Sequence, residues 1–141
     1  MTNDQFIPYK LALQLKGLGY NEISLFCYDI AYKGNPSLSH CPHLLLNNQL
    51  EGFENEPISA PIWQQAFDWF EKEFGLFASF DKVDNTRKFY YDFSIIDSKN
   101  REYCNESMID SAKRTIDKGE FKTYEEARLE CLKKLIEILE Q

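Results

Sequence analysis

Apolar and polar positions alternate most regularly between residues 59 and 75, where their spacing predicts an α-helix. Four apolar side chains follow Trp63 at offsets of three, four, seven and eleven residues, so all five fall on one stripe of the helix. The stripe consists of Trp63, Ala66, Phe67, Phe70 and Phe74. Ile62 and Trp69 widen it on one side, and polar residues take the opposite face. So much aromatic surface predicts a helix that packs against a sheet.

The ends of this helix carry their own signals. Ser59 can accept a hydrogen bond from an amide of the first turn, which makes it the predicted N-cap. Pro61 follows in the predicted first turn, where an amide N–H would have no partner within the helix and its loss costs nothing. Gly75 stands just after the last apolar position, where a left-handed residue commonly closes a helix.

A first helix is predicted over residues 8–18. Leu11, Leu15 and Leu18 form its apolar stripe, and Pro8 stands in its first turn. Two glycines close together then end the pattern.

Two more helices are predicted in the last third of the chain. A modest helix over 105–118 carries apolar residues at helical spacing and ends at Gly119. Thr123 and Glu126 form a capping box ahead of a long helix over 124–140. The apolar stripe of the long helix consists of Ala127, Cys131, Leu135, Ile138 and Leu139, with Leu132 and Ile136 beside it.

Three strands are predicted. Residues 22–32 are apolar on both alternations, which is typical of a strand covered on both faces or bordering another chain. Residues 76–83 and 88–97 form a predicted antiparallel hairpin with a turn at 84–87. One face of the hairpin should lie on the core. The other face, which should be wetter, carries Asp81, Tyr90, Asp92 and Ser94.

Residues 33–58 are the least regular part of the sequence. Three prolines, two glycines and four asparagines interrupt any long element there, and only His43–Leu46 could form a short strand. The pattern predicts an irregular segment, and long loops of this kind commonly carry function or move.

Together these elements predict a single α+β domain over residues 1–141, with the irregular segment at 33–58. The predicted order is helix, strand, loop, helix, two strands and two helices. The helices should cover one face of a small antiparallel sheet.

The charge balance limits the classes of partner. The chain has 16 basic and 23 acidic residues, for a net charge of −7. This excess opposes binding to nucleic acid and to anionic membranes, and it permits a basic protein partner. No apolar run approaches the roughly 20 residues of a membrane span, and the polar start MTNDQF does not resemble a signal peptide. Four widely spaced cysteines without a CxxC pair predict reduced thiols in the cytoplasm.

One cluster of soft metal ligands stands out, formed by His40, Cys41 and His43. Zinc takes three or four such ligands, so a fourth would have to come from elsewhere in the chain, with Cys27 and Cys104 as candidates. The alternative is a pair of exposed loop histidines beside a small apolar cysteine, and we favour that interpretation.

No catalytic constellation is evident. No feature of the sequence would activate a thiol, and Cys131 lies on an apolar helix stripe. No phosphate loop, dinucleotide fingerprint or carboxylate pair in an apolar setting is present. The sequence therefore predicts no catalytic residue, no metal and no cofactor. It leaves Trp69, Tyr90 and Asp92 as candidates for a partner surface.

Three blocks of the chain resemble a known family. They are FIPYKLALQLKGLG at 6–19, SAPIWQQAFDWF at 59–70 and TYEEARLECLKKLIEI at 123–138. In this order and spacing they look like a family of small uncharacterised proteins carried by phages and prophages of Bacteroidetes. The resemblance implies a phage setting and an accessory role, and it carries over no functional residue. Residues 33–58 and 98–120 are more individual to this chain.

Three functional hypotheses follow. The first is a non-enzymatic protein-interaction module, with a homodimer among its options, because catalytic motifs are missing and aromatic residues are abundant. The second is an acidic inhibitor that mimics nucleic acid or a nucleotide at a site of a host defence protein. The third is a metal- or thiol-dependent enzyme that uses His40, Cys41 and His43.

Overall fold

A computed structural model of the chain describes residues 3–32, 35–45, 57–85, 88–98 and 115–140. Within these ranges the helices are α1 (Tyr9–Gly17), α2 (Trp63–Phe74) and α3 (Tyr124–Glu140), and a short 3-10 helix covers Asn3–Gln5. The strands are β1 (Ser24–Tyr32), β2 (Asn35–Leu45), β3 (Ile58–Ser59), β4 (Leu76–Asn85), β5 (Lys88–Asp97) and β6 (Thr115–Phe121).

The predicted α+β class is confirmed, with two small antiparallel sheets in place of the single predicted one. One sheet has the strand order β2-β1-β3 and the other β4-β5-β6. The chain divides into two compact units, Met1–Ala66 and Phe67–Gln141. The first sheet belongs to the first unit and the second sheet to the second.

The predicted first helix is confirmed and ends on a Schellman motif. Tyr20 N–H donates to the carbonyl of Leu15, and Gly19 N–H donates to that of Lys16. Gly19 holds φ at 99°, a left-handed angle that glycine adopts without steric cost. The buried side chains of α1 are Leu11, Ala12 and Leu15, and Leu18 is half-buried.

The packing of the first unit joins α1 and the N-terminal segment to one face of β1. The Tyr28 hydroxyl donates to the Ile7 carbonyl at 2.6 Å. Its ring meets the Tyr9 ring edge-on at 5.6 Å, and Phe6 packs on Phe26 at 4.9 Å. These interactions hold the chain before α1 on the sheet.

The prediction of an irregular segment over 33–58 is wrong for much of its length. Residues 35–45 form β2, which pairs antiparallel with β1, and β3 pairs with the other side of β1. Pro36 and Pro42 are compatible with β2 because it lies at a sheet edge, where a missing N–H need not break a ladder. The register does shift between the pairs Ser24↔Leu45 and Phe26↔His40, across the stretch that contains Pro42.

The predicted N-cap of the central helix is also wrong. Ser59 lies in β3, where it pairs with Cys27, and α2 begins only at Trp63. The Gln65 side-chain carbonyl accepts a hydrogen bond from Ile62 N–H at 3.1 Å and so caps the first turn instead. The C-terminal prediction holds, because Gly75 has φ of 66° and donates its N–H to the Glu71 carbonyl.

The apolar stripe of α2 is confirmed. Trp63, Ala66 and Phe70 are buried, while Phe67 and Phe74 are half-buried. The indole N–H of Trp63 donates to the Asp4 carbonyl at 3.0 Å, so this buried ring keeps a hydrogen-bond partner.

In the second unit, α3 packs against one face of the sheet, which we call the inner face. Phe93 and Ile95 are buried there, and Tyr124 of α3 meets the Phe80 ring at 5.3 Å. The helix has the bounds that its capping box predicted. Thr123 accepts a hydrogen bond from Glu126 N–H, although the Glu126 carboxylate accepts from Lys122 N–H rather than from the cap residue.

The helix predicted over 105–118 is wrong where it can be compared. Residues 105–114 lie outside the described residues, and Thr115–Phe121 form β6 instead of a helix end. Ile116 pairs with Ile95 and Phe121 with Tyr91 in the ladder with β5. Pairing with a neighbouring strand here overrides a helical spacing of apolar residues.

Candidate functional site

The β4–β5 hairpin has an exposed side, opposite the inner face. Successive side chains of a strand point to opposite faces, and β4 and β5 pair without a register shift along ten residues each. The residues that share the exposed side, which we call the outer face, are Phe77, Ser79, Asp81, Tyr90, Asp92, Ser94 and Ile96.

One end of the outer face is apolar. Phe77 and Ile96 are direct cross-strand partners, and each is large, apolar and exposed, at 40% and 43%. Next along the strands, the Ser79 and Ser94 hydroxyls form a hydrogen bond of 2.6 Å. A bare apolar pair beside a polar rim is a common composition for a surface that another molecule covers.

The other end of the outer face is acidic. Asp81 and Asp92 stand directly opposite each other, with Asp81 exposed and Asp92 half-buried. Like charges in opposing positions destabilise a strand pair. A cationic side chain brought to this end would offset that repulsion. Tyr90 extends the same surface beyond the two carboxylates.

Apart from the outer face, the second unit has a concavity between α3 and the strands β5 and β6. It has a volume of about 290 Å³, and the Phe93 and Phe121 rings stack on its floor with centroids 5.7 Å apart. Its charged groups are matched, because Lys133 pairs with Glu130 at 3.1 Å and Lys134 with Glu137 at 3.2 Å. This balance selects no particular charge on a ligand.

Of the three residues predicted for a partner surface, two lie together on the outer face. Tyr90 and Asp92 are both half-buried there, two positions apart on β5. Trp69 is 5% exposed and packs edge-on against Phe70 and Phe74, so the structure places it in the core. Its place at the margin of the apolar stripe did not expose it.

Sequence reasoning missed the apolar end of the outer face. Phe77 and Ile96 lie on the wetter alternation of their strands, out of phase with the core residues. The alternation could have revealed this apolar end. Once the hairpin register is known, two large apolar residues stand out on a face that otherwise carries Asp, Ser and Tyr.

The predicted ligand trio is only partly described. His40 lies on β2 opposite Phe26, is exposed, and meets that ring edge-on at 5.2 Å. The side chains of Cys41 and His43, and all of Cys104, lie outside the described residues. Cys27 pairs with Ser39, next to His40 on the strand, so Cys27 and His40 belong to opposite faces of the sheet. Among the side chains that are described, no group of three His, Cys, Asp or Glu could hold a metal ion.

Cys27 takes part in a short hydrogen-bond chain across the first sheet. The Ser39 hydroxyl donates to the Asp29 carboxylate at 2.5 Å, and the Cys27 sulfur lies 3.7 Å from the same hydroxyl oxygen. Since the serine proton points to Asp29, the thiol is the donor in the Cys27–Ser39 contact. Cys131 is buried, and burial raises the pKa of its thiol well above the usual range. The burial of Cys131 therefore opposes a reactive thiolate there.

No protein-family model, curated protein or solved structure matches the chain. No helix in the described ranges is long and apolar enough to cross a membrane.

Proposed function

We propose that this protein is a non-enzymatic protein-interaction module that binds a basic protein segment on the outer face of its β4–β5 hairpin. The observation that carries the proposal is the arrangement of that face. The exposed Phe77–Ile96 pair and the opposed Asp81 and Asp92 carboxylates lie on this face. The hydrogen-bonded Ser79–Ser94 pair lies between them.

The chemistry of the partner follows from the two ends of the surface. An apolar side chain of the partner would cover Phe77 and Ile96 and remove their surface from water, at about 25 cal/mol for each Å² buried. A lysine or arginine would reach Asp81, which is exposed, and reduce its repulsion with Asp92. The net charge of −7 would speed the approach of such a partner.

The biological setting rests on the resemblance to phage and prophage proteins of Bacteroidetes. In that setting the protein would act in the cytoplasm of the host cell as an accessory factor. The non-enzymatic part is supported by the burial of both Cys27 and Cys131 and by the separation of Cys27 from His40.

The acidic-inhibitor alternative needs carboxylates spaced like phosphates along one ridge. On α3 the carboxylates of Glu130 and Glu137 each pair with a lysine, so their negative charge is partly neutralised. The opposed Asp81 and Asp92 make one short acidic spot rather than a ridge. The interaction module therefore has the stronger support.

The test is affinity capture from host lysate with matched surface variants. The test variant carries Phe77→Ser and Ile96→Ser, and a second test variant carries Asp81→Lys. The control variant carries Ile23→Ser and Leu25→Ser, which remove two apolar side chains of similar exposure, 53% and 54%, from the first unit.

We expect one captured protein with a basic segment to bind the wild type and the control but to be lost from both test variants. Direct titration of the purified partner would then show at least a tenfold weaker affinity for the test variants, because each removes groups at the centre of the contact. Equal capture by all variants, or a loss confined to the control, would refute the proposal.

A further inference from the structure

β4 forms one edge of the second sheet. Its pairing with β5 is continuous from Leu76↔Asp97 to Asn85↔Lys88, without a bulge or a proline. In the described part of the chain, β5 is the one strand that pairs with β4. A straight strand edge of this length is a template on which another strand can form hydrogen bonds.

The outward backbone groups of β4 can be assigned from one hydrogen bond. Ser98 N–H donates to the Gly75 carbonyl at 3.0 Å, so these two residues form a hydrogen-bonded pair at the start of the ladder. Hydrogen-bonded and non-hydrogen-bonded pairs alternate along an antiparallel ladder. Every even-numbered residue of β4 therefore directs its N–H and C=O away from β5. These residues are Leu76, Ala78, Phe80, Lys82 and Asp84.

We infer that the strand received by this edge is β4 of a second copy of the chain, paired antiparallel about a two-fold axis at Phe80. Phe80 then faces Phe80 of the second copy, Ala78 faces Lys82, and Leu76 faces Asp84. All five outward residues meet outward residues, which gives roughly ten backbone hydrogen bonds. The β4-β5-β6 sheets of the two copies then become one continuous sheet of six strands.

Charge and length favour this register over its neighbours. With the axis at Phe80, Ser79 faces Asp81 of the second copy and Phe77 faces Val83, so no like charges stand opposite each other. An axis at Asp81 would oppose the two aspartates, and an axis at Lys82 would oppose the two lysines, both of which destabilise a strand pair. An axis at Ser79 would extend past Leu76 to Gly75, where the strand has ended.

This dimer goes beyond the function proposed above. It uses the edge of the hairpin and leaves the outer face of both copies open, so the basic partner is neither required nor excluded by it. The two ideas can fail separately, because self-association is measured on the purified chain alone.

The experiment is sedimentation velocity of the full chain over micromolar to sub-millimolar concentrations, with a matched pair of charge variants. Ser79→Lys and Ser79→Asp both remove the same hydroxyl contact with Ser94. In the inferred register, the new lysine faces Asp81 of the second copy, whereas the new aspartate opposes it. The contact occurs twice by symmetry, so the dimer dissociation constants should differ by about tenfold or more, with Ser79→Lys the tighter.

A second pair of variants tests the edge itself. Lys82→Pro removes an outward N–H and should abolish the dimer, while Lys82→Ala keeps that N–H and should retain it. Circular dichroism establishes that each variant is folded. A chain that sediments as a monomer at every concentration would overturn the inference. So would a Ser79→Asp variant that dimerises as tightly as Ser79→Lys.

Discussion

The two long hairpins of this protein differ in the regularity of their ladders. β1 and β2 lose register twice, and the edge strand β2 carries Pro36 and Pro42. β4 and β5 pair without a break, and the edge strand β4 has no proline. Prolines and bulges at an edge discourage the addition of another strand, whereas a straight edge permits it. We therefore propose that the β2 edge is protected against strand addition and that the β4 edge receives another strand.

The largest expected effect tests whether the β4–β5 hairpin has one buried face and one exposed face. Phe93 is 2% exposed on the inner face, so Phe93→Ala should lower the free energy of unfolding by about 3–5 kcal/mol. Phe77→Ala removes the same side chain from the outer face, where it is exposed, and should cost less than about 1 kcal/mol. Urea unfolding of the two variants measures the difference. Similar losses would mean that both faces are covered.

The next effect tests the direction of the backbone groups. Ser79 N–H points toward β5 by the alternation of the ladder, so Ser79→Pro should lower the free energy of unfolding by roughly 3 kcal/mol. Lys82→Pro removes an outward N–H and should cost no more than about 1 kcal/mol, measured in dilute protein by urea unfolding. A reversed order would place the even-numbered amides inside the ladder.

Part of the fold and of the outer face could be predicted from the sequence alone. Local signals located the ends of α1 and α3, because the glycine pair and the capping box act within one helical turn. Alternation also located the outer face around Tyr90 and Asp92. Most of β2 and all of β6 were missed, because their pairing with β1 and β5 depends on residues far along the chain. That pairing outweighed two prolines in β2 and a helical spacing in β6. Trp69 was predicted to lie on a surface because it stands at the edge of the apolar stripe of α2. The position of a residue on a helix does not reveal which other elements cover its side chain.

A smaller effect concerns the irregular ladder. Pro42 stands where the register of β1 and β2 shifts, and β2 is an edge strand. Pro42→Ala should therefore change the free energy of unfolding by less than about 1 kcal/mol, since no ladder hydrogen bond need be gained or lost. Thermal unfolding provides the measurement. A change of several kcal/mol would show that this proline is built into the sheet more tightly than an edge position implies.

The last effect is seen only at alkaline pH and concerns the first unit, which contains the irregular β1–β2 ladder. Burial, assisted by the nearby Glu22 carboxylate, raises the pKa of Tyr20 above its ordinary value of 10.0. The unfolded tyrosine loses its proton near that value while the folded one keeps it, so stability falls as the pH rises above about 10. Tyr20→Phe should make that fall shallower, by at most about 1.4 kcal/mol per pH unit. Parallel slopes for the two proteins would contradict the assignment.

The central claim is that the straight edge of β4 is where this protein meets another strand, and hydrogen exchange resolved by residue tests it most directly. In dilute protein the amides of Ser79 and Asp81 should exchange slowly, while those of Ala78, Phe80 and Lys82 exchange quickly. At high concentration the second group should become protected as β4 pairs with its copy. Protection of Ala78, Phe80 and Lys82 already in the dilute monomer would contradict the claim, because the edge would then be covered by the chain itself.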